Sequence, residues 1–279
     1  MATPFVDTDF ARAVHADVRA LVARTLPSRS PLIAGALALL LADDAAPVLA
    51  LVLRSLHGGD QATALGAALD LIQIGLQRLH VGTDGGASAP GFEQAAAILV
   101  GDYLTSGAFK LIAGCADLRV LRVIGDAMTL TCEREAGATL RRTRGTAVDP
   151  ALLRPLGDAA GRAGALLAGF APPATELAAA FGQQAAIAHA GLNARAAGAV
   201  AHADDPTPRA LEEAVRIGRQ LLALDGRGAP LELALALQVA AAPAAQARVF
   251  QCISSTDKVT SEAIVDHRMV RAVTPASRR

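Results

Sequence analysis

An all-α fold is what this sequence predicts, and three observations predict it. Apolar residues recur at helical spacing along the 279-residue chain. Alanine and leucine dominate a composition that is 52% hydrophobic and only 3% aromatic, with no Trp, and both residues favour closely packed helices. No stretch shows the strict alternation of a half-buried strand.

Taken in order, Phe10, Val14, Val18, Leu21 and Val22 give a helix over Phe5–Thr25, with Asp7 or Thr8 as its cap. Pro27 and Pro31 break it. The helix at Leu32–Leu41 lies in the longest apolar run, Leu32–Ala42, which is too short for the roughly 20 residues that span a bilayer and which Asp43-Asp44 close. It reads as a buried helix. Pro47–Leu56 follows, with Pro47 in the first turn and Gly58-Gly59 as the stop. Ala62–His80 carries Leu65, Leu69, Ile72, Leu76 and Leu79 on one stripe, and Gly82–Gly91 reads as a loop. Phe92–Ala113 is a long helix. Asp117–Ala136 is another, with Leu118, Leu121, Ile124, Met128 and Cys132 read as its inward face.

Arg141, Arg142 and Arg144 mark a basic loop. A helical pattern runs from Asp149-Pro150 to Phe170, and Pro172-Pro173 separates it from Ala174–Ala197. His202–Pro208 is a loop, Arg209–Leu224 an amphipathic helix, Asp225–Gly228 a turn and Leu231–Ala241 an apolar helix. Ala244–Cys252 and Lys258–Val270 are short helical patterns, and residues 272–279 a frayed tail. The expectation is one helical domain over residues 1–279, its first helix within 1–30.

Formal net charge is zero and basic residues form no large cluster, which argues against a nucleic-acid or anionic-membrane surface. Cys115, Cys132 and Cys252 are scattered and odd in number, so they read as reduced thiols in a cytoplasmic protein. The N-terminus has Asp7 and Asp9 and no basic region before an apolar core, unlike a secretory signal. There is no phosphate-binding glycine loop, nucleophile elbow or zinc signature.

The segment Ala97-Ile98-Leu99-Val100-Gly101-Asp102-Tyr103-Leu104 resembles the Ala-Ile-Leu-x-Gly-Asp-Tyr-Leu helix of the polyprenyl diphosphate synthase family, the trans-isoprenyl diphosphate synthases. Gly58-Gly59-Asp60, Asp70-Leu71-Ile72-Gln73 and Phe181-Gly182-Gln183-Gln184 look like other family segments, so the resemblance covers roughly Pro47 to Asn193. It implies an isoprenoid-synthase-like helical bundle. It also implies two Asp-Asp-x-x-Asp motifs that hold magnesium against a substrate diphosphate, through carboxylate and phosphate oxygens.

Those carboxylates are nearly all replaced. The first motif falls at His80-Val81-Gly82-Thr83-Asp84, where only Asp84 remains, and the second at Asn193-Ala194-Arg195-Ala196-Ala197. The family's isopentenyl-site His is Gln73, and its Lys-Thr falls at Gly157-Asp158. Gly75 and Leu76 lie where the family sets product length, which would make them tunnel-lining; close helix packing explains Gly75 equally well. Gly101, Asp102 and Tyr103 serve the fold, with Asp102 expected at a helix–helix contact. His189 reads as a core histidine, and Asp204-Asp205 as part of a loop.

Loss of metal ligands together with phosphate-binding cations resembles the non-catalytic subunits of heteromeric long-chain polyprenyl diphosphate synthases. The expectation is therefore a catalytically inactive chain with no catalytic residue, no metal and no cofactor of its own. It would be the partner or regulatory subunit of an active polyprenyl diphosphate synthase, or a homodimer, with an isoprenoid as ligand. The alternatives are a stand-alone isoprenoid-binding protein and a prenyltransferase with a rearranged site at His80, Asp84 and Asp204.

Overall fold

The computed structural model describes residues 8–28, 30–31, 33–34, 37, 47–81, 90–141, 150–196 and 205–241. Among them are nine α-helices and no strand. They are α1 (Asp9–Thr25), α2 (Val48–Leu56), α3 (Asp60–Val81), α4 (Pro90–Ile112), α5 (Leu118–Arg141), α6 (Arg154–Leu167), α7 (Pro172–Ala196), α8 (Thr207–Asp225) and α9 (Ala229–Ala241), with a 3-10 turn at Pro150–Leu153 before α6. A compact unit runs to Gln238, and of residues 239–279 only 239–241, the end of α9, are described. The expected helices at Ala244–Cys252 and Lys258–Val270, the 272–279 tail and most of Leu32–Leu41 lie outside the described residues.

Helix starts differ from the sequence reading for one reason. Pro90-Gly91, Pro172-Pro173 and Thr207-Pro208, read as loop or divider, form the first turns of α4, α7 and α8. Proline fits there because first-turn N–H groups have no helical partner and its φ is already helical. Arg141, read as loop, is the last residue of α5. Thr8 caps α1 by accepting from the Ala11 N–H. Gly226, in the left-handed region at φ 72, ends α8.

The core is centred on α2 and α7. On α2, Val48 to Leu53, Ser55 and Leu56 are all buried, so this short helix is enclosed on nearly every face, with Arg54 alone half-buried. It packs on α3, α6 and α7. The α6–α7 crossing is closer than side chains would permit: a Cβ on Gly161 would stand 1.9 Å from the Ala178 carbonyl oxygen, and one on Gly182 2.0 Å from that of Gly157. Three connections are pinned together by Arg227. Its guanidinium pairs with Asp225, donates to the Leu56 carbonyl, and lies 5.0 Å from the centre of the Phe170 ring. Among the described residues no helix is long and apolar enough to cross a membrane.

The inward face of α5 is not the expected one. Val120, Ile124, Ala127, Thr131 and Glu135 are buried, whereas Leu118 is 76% exposed and Cys132 is exposed. Of the expected set only Ile124 is buried, with Leu121 and Met128 half-buried. The buried line contains Thr131, whose hydroxyl donates to the Ala127 carbonyl, so reading apolar residues alone selected the wrong side.

Candidate functional site

Where the resemblance places the second aspartate motif, α7 presents a neutral polar pair. His189 is buried, and the Asn193 side-chain amide nitrogen lies 3.4 Å from its Nδ1 and 3.3 Å from its Nε2. The spacing of four residues stacks the two side chains on one helix face. Burial pushes the His189 imidazole down from its ordinary 6.5 to about 4, so the ring is uncharged at neutral pH. The rest of the buried surface of α7 is Thr175, Phe181, Ile187, Leu192 and a series of Ala and Gly.

Arg195 and Asp205 are committed to each other. Arg195 Nη2 lies 2.6 Å from Asp205 Oδ2, and Asp205 Oδ1 also accepts from the Thr207 N–H at 2.9 Å and from the Thr207 hydroxyl at 2.5 Å. Asp205 therefore ties the start of α8 to the end of α7. Asp204 lies outside the described residues.

Asp158 stands where the resemblance places a cation. Its Oδ1 accepts from Gln183 Nε2 at 2.8 Å, and its Oδ2 accepts from Arg162 Nε at 3.2 Å. Arg162 also holds both Glu176 oxygens, at 2.5 and 2.9 Å. The network links α6 to α7, and each of the three Arg162 guanidinium nitrogens has a carboxylate partner.

On α3, the backbone of His80 is helical, while Asp84 lies outside the described residues. Gly75 is placed against α4: a Cβ there would lie 3.4 Å from the Gly101 carbonyl oxygen and 3.7 Å from Leu104 Cβ. Its small size therefore serves the α3–α4 crossing, and Leu76 beside it is half-buried. Gly101 is the other half of that contact. Tyr103 donates its hydroxyl to the Pro27 carbonyl at 3.2 Å, tying α4 to the segment after α1. Asp102 corrects the expectation of a helix–helix contact, because it faces outward. Exposed to solvent, its side chain needs no buried partner there.

The sequence reading missed the role of Asp70. Its carboxylate is buried and caps α2 from α3, accepting from the Leu49 and Ala50 N–H groups. One turn on, Gln73 is also buried, and its Oε1 has no hydrogen-bond partner. The only local signal was an Asp inside the apolar run Ala67-Ala68-Leu69-Asp70-Leu71-Ile72.

Magnesium takes hard oxygen ligands, carboxylates foremost. At the positions the resemblance assigns to the second motif, Asn193 offers an amide and Arg195 an engaged guanidinium, and among the described residues no three His, Cys, Asp or Glu side chains converge on a point where a metal would sit. These residues do not fit a magnesium cluster.

No protein-family model and no curated protein matches the chain. Solved structures do match it in fold. A decaprenyl diphosphate synthase from Rhodobacter capsulatus superposes with a TM-score of 0.60 at 17% identity, over 82% of this chain and 97% of that one. The geranyl diphosphate synthase small subunit from Antirrhinum majus gives a TM-score of 0.57 at 18% identity, over 80% and 95%. A mint heterotetrameric geranyl pyrophosphate synthase, a deletion mutant, gives 0.56 at 20% identity, over 80% and 97%. The chain has the all-helical fold of the trans-prenyl diphosphate synthases.

Proposed function

We propose that this chain is a catalytically silent subunit built on the prenyl diphosphate synthase fold, and that its partner is an active prenyl diphosphate synthase in the cytoplasm. One observation carries the reading. Where the resemblance puts a carboxylate cluster, the chain holds the uncharged His189–Asn193 pair. Ionising an allylic diphosphate needs metal charge at the leaving group, and a buried imidazole beside an amide lacks the carboxylate oxygens that magnesium requires. The likeness in fold to a geranyl diphosphate synthase small subunit and to a heterotetrameric synthase supports a role beside a second, active chain.

The test is a pair of assays at matched protein concentration with magnesium, isopentenyl diphosphate and farnesyl diphosphate. One contains this chain alone, and the other adds an active synthase from the same organism. The expected result is no product from the chain alone, and a raised yield or changed chain length in the mixture. Product from the chain alone overturns the reading.

A second reading is favoured by Gln73, whose buried Oε1 has no hydrogen-bond partner. An unpaired buried acceptor is costly, and the hydroxyl of a prenol would satisfy it. On this reading the chain binds an isoprenoid by itself. Saturable binding of a polyprenol that Gln73→Leu abolishes, with no effect on any synthase, would select it.

A further inference from the structure

Two guanidiniums bracket one imidazole at the turn between α2 and α3. Arg54 Nη1 donates to the Gly59 carbonyl at 3.0 Å, and Arg227 Nη1 donates to the Leu56 carbonyl. His57 lies between those two carbonyls in the chain. It is half-buried, and its ring has no hydrogen-bond partner among the described residues. The turn itself is open. Gly58, Gly59 and Asp60 are exposed, and a Cβ on either glycine would meet nothing within 4 Å.

Carboxylates stand nearby, yet they leave the turn positive at His57. Asp225 pairs with Arg227. Asp17 Oδ2 lies 3.5 Å from Arg54 Nη2, long for a charge-assisted hydrogen bond, and its side chain is 54% exposed, so water screens it. Arg54 also keeps a buried Nε with no partner, so the fold does not use this guanidinium fully. Burial, and then the charges of Arg227 and Arg54, hold the His57 imidazole below its ordinary 6.5, and no carboxylate raises it.

We propose that this turn binds the phosphate group of a small soluble ligand, held between Arg54 and Arg227 with the His57 imidazolium as its third cation.

The chemistry selects that ligand class. Guanidiniums present planar forks that match phosphate oxygens. The field of the two arginines keeps His57 neutral without a ligand. A doubly charged oxyanion reverses that field, so the imidazole takes a proton from solvent and donates to the ligand. A singly charged ion such as chloride offsets less of the arginine charge. An anionic membrane surface fits less well, since Asp17, Asp60 and Asp225 are all exposed around the turn and would be repelled by a sheet of like charge. The turn is also remote from the positions that the resemblance assigns to metal and diphosphate. Asp60 begins α3 and His80 lies near its other end, about 30 Å away along the helix axis. The proposal therefore stands apart from the proposed function, because a silent subunit and an isoprenoid-binding chain would carry this turn alike.

The experiment uses the full chain. The imidazole signals of its six histidines are followed by NMR against pH, with and without inorganic phosphate, at ionic strength matched with sodium chloride. His57→Gln identifies the His57 signal. Phosphate is expected to shift that signal saturably and to raise the His57 pKa by about one pH unit, which corresponds to tenfold tighter binding by the protonated form. Calorimetric titration with phosphate is expected to show at least tenfold weaker binding in Arg54→Gln and in His57→Gln. The second variant replaces a ring with no partner, so its helical circular-dichroism signal is expected to stay intact. A His57 pKa that phosphate does not move, an equal response to chloride, or full-strength phosphate binding by His57→Gln overturns the proposal. So does binding to phosphatidylcholine vesicles that contain phosphatidic acid with no response to inorganic phosphate, which would assign the turn to a membrane surface.

Discussion

The Asp70 carboxylate accepts hydrogen bonds from the backbone N–H groups of Leu49, at 3.1 Å, and Ala50, at 3.0 Å. It lies twenty residues downstream and caps from α3 the first turn of α2, which begins after Pro47 without a side-chain cap of its own. Two effects compete on it. The helix N-terminus and its N–H groups favour the anion, and burial opposes it. Burial wins, because the pKa is pushed up from 3.8 to about 7.

A pH dependence follows from that rise. Between about pH 4 and about pH 7 the folded chain holds the Asp70 proton and the unfolded chain does not, so this group's contribution to stability falls as pH rises through the window. Asp70→Asn removes the titration. It also turns an amide N–H₂ toward one of the two backbone donors, which costs about 1–3 kcal/mol. The expected result is a lower Tm at every pH and loss of this decline toward pH 7, read by calorimetry from pH 4 to pH 8. A Tm of the unchanged protein that rises steadily with pH, with the same profile in Asp70→Asn, would refute the assignment.

His189 acts in the opposite sense. Its folded pKa is depressed to about 4 by burial, so its contribution is complete above the ordinary value of 6.5 and is lost as pH falls toward 4. Across this range the two groups oppose each other, and their slopes partly cancel in the unchanged protein. The single variants are expected to separate them. In Asp70→Asn the Tm should rise with pH across the window. In His189→Leu, where the half-buried Asn193 retains access to water, it should fall. Slopes of the same sign in both variants would show that neither group controls the window.

What was legible in the sequence depended on how local its cause is. Helix existence rests on spacing within a dozen residues, and every helix the structure describes was expected within a few residues of its ends. The starts at Pro90, Pro172 and Thr207 were missed because proline was taken as a breaker, although it is also at home in a first turn. The inward side of α5 was missed because it contains Ala127 and Thr131 while leucines sit outside. Burial there is decided by what the rest of the chain covers. Asp70 was unreadable for the same reason, since its partners belong to another helix. At the candidate site, the lack of a carboxylate from Asn193 to Ala197 was plain in the sequence. The contacts that now engage Asn193, Arg195 and Asp205 were not.

The glycines of the bundle make the last prediction, and two of them should respond to the same substitution in different ways. A Cβ on Gly161 would stand 1.9 Å from the Ala178 carbonyl oxygen and 2.6 Å from its carbon, both backbone atoms of α7 that no rotamer change can move. A Cβ on Gly75 would stand 3.4 Å from the Gly101 carbonyl oxygen, an ordinary contact. Alanine improves helix propensity at either site by about 0.5–1 kcal/mol. At Gly75 little opposes that gain, so Gly75→Ala should leave the Tm unchanged or raise it slightly. At Gly161 the helices must separate, and overpacking costs roughly 1–3 kcal/mol or more. Gly161→Ala should therefore lower the Tm by several degrees. Thermal melts of the two variants under identical conditions decide the point. A Gly161→Ala chain as stable as Gly75→Ala would mean that α6 and α7 cross more loosely than their glycines indicate.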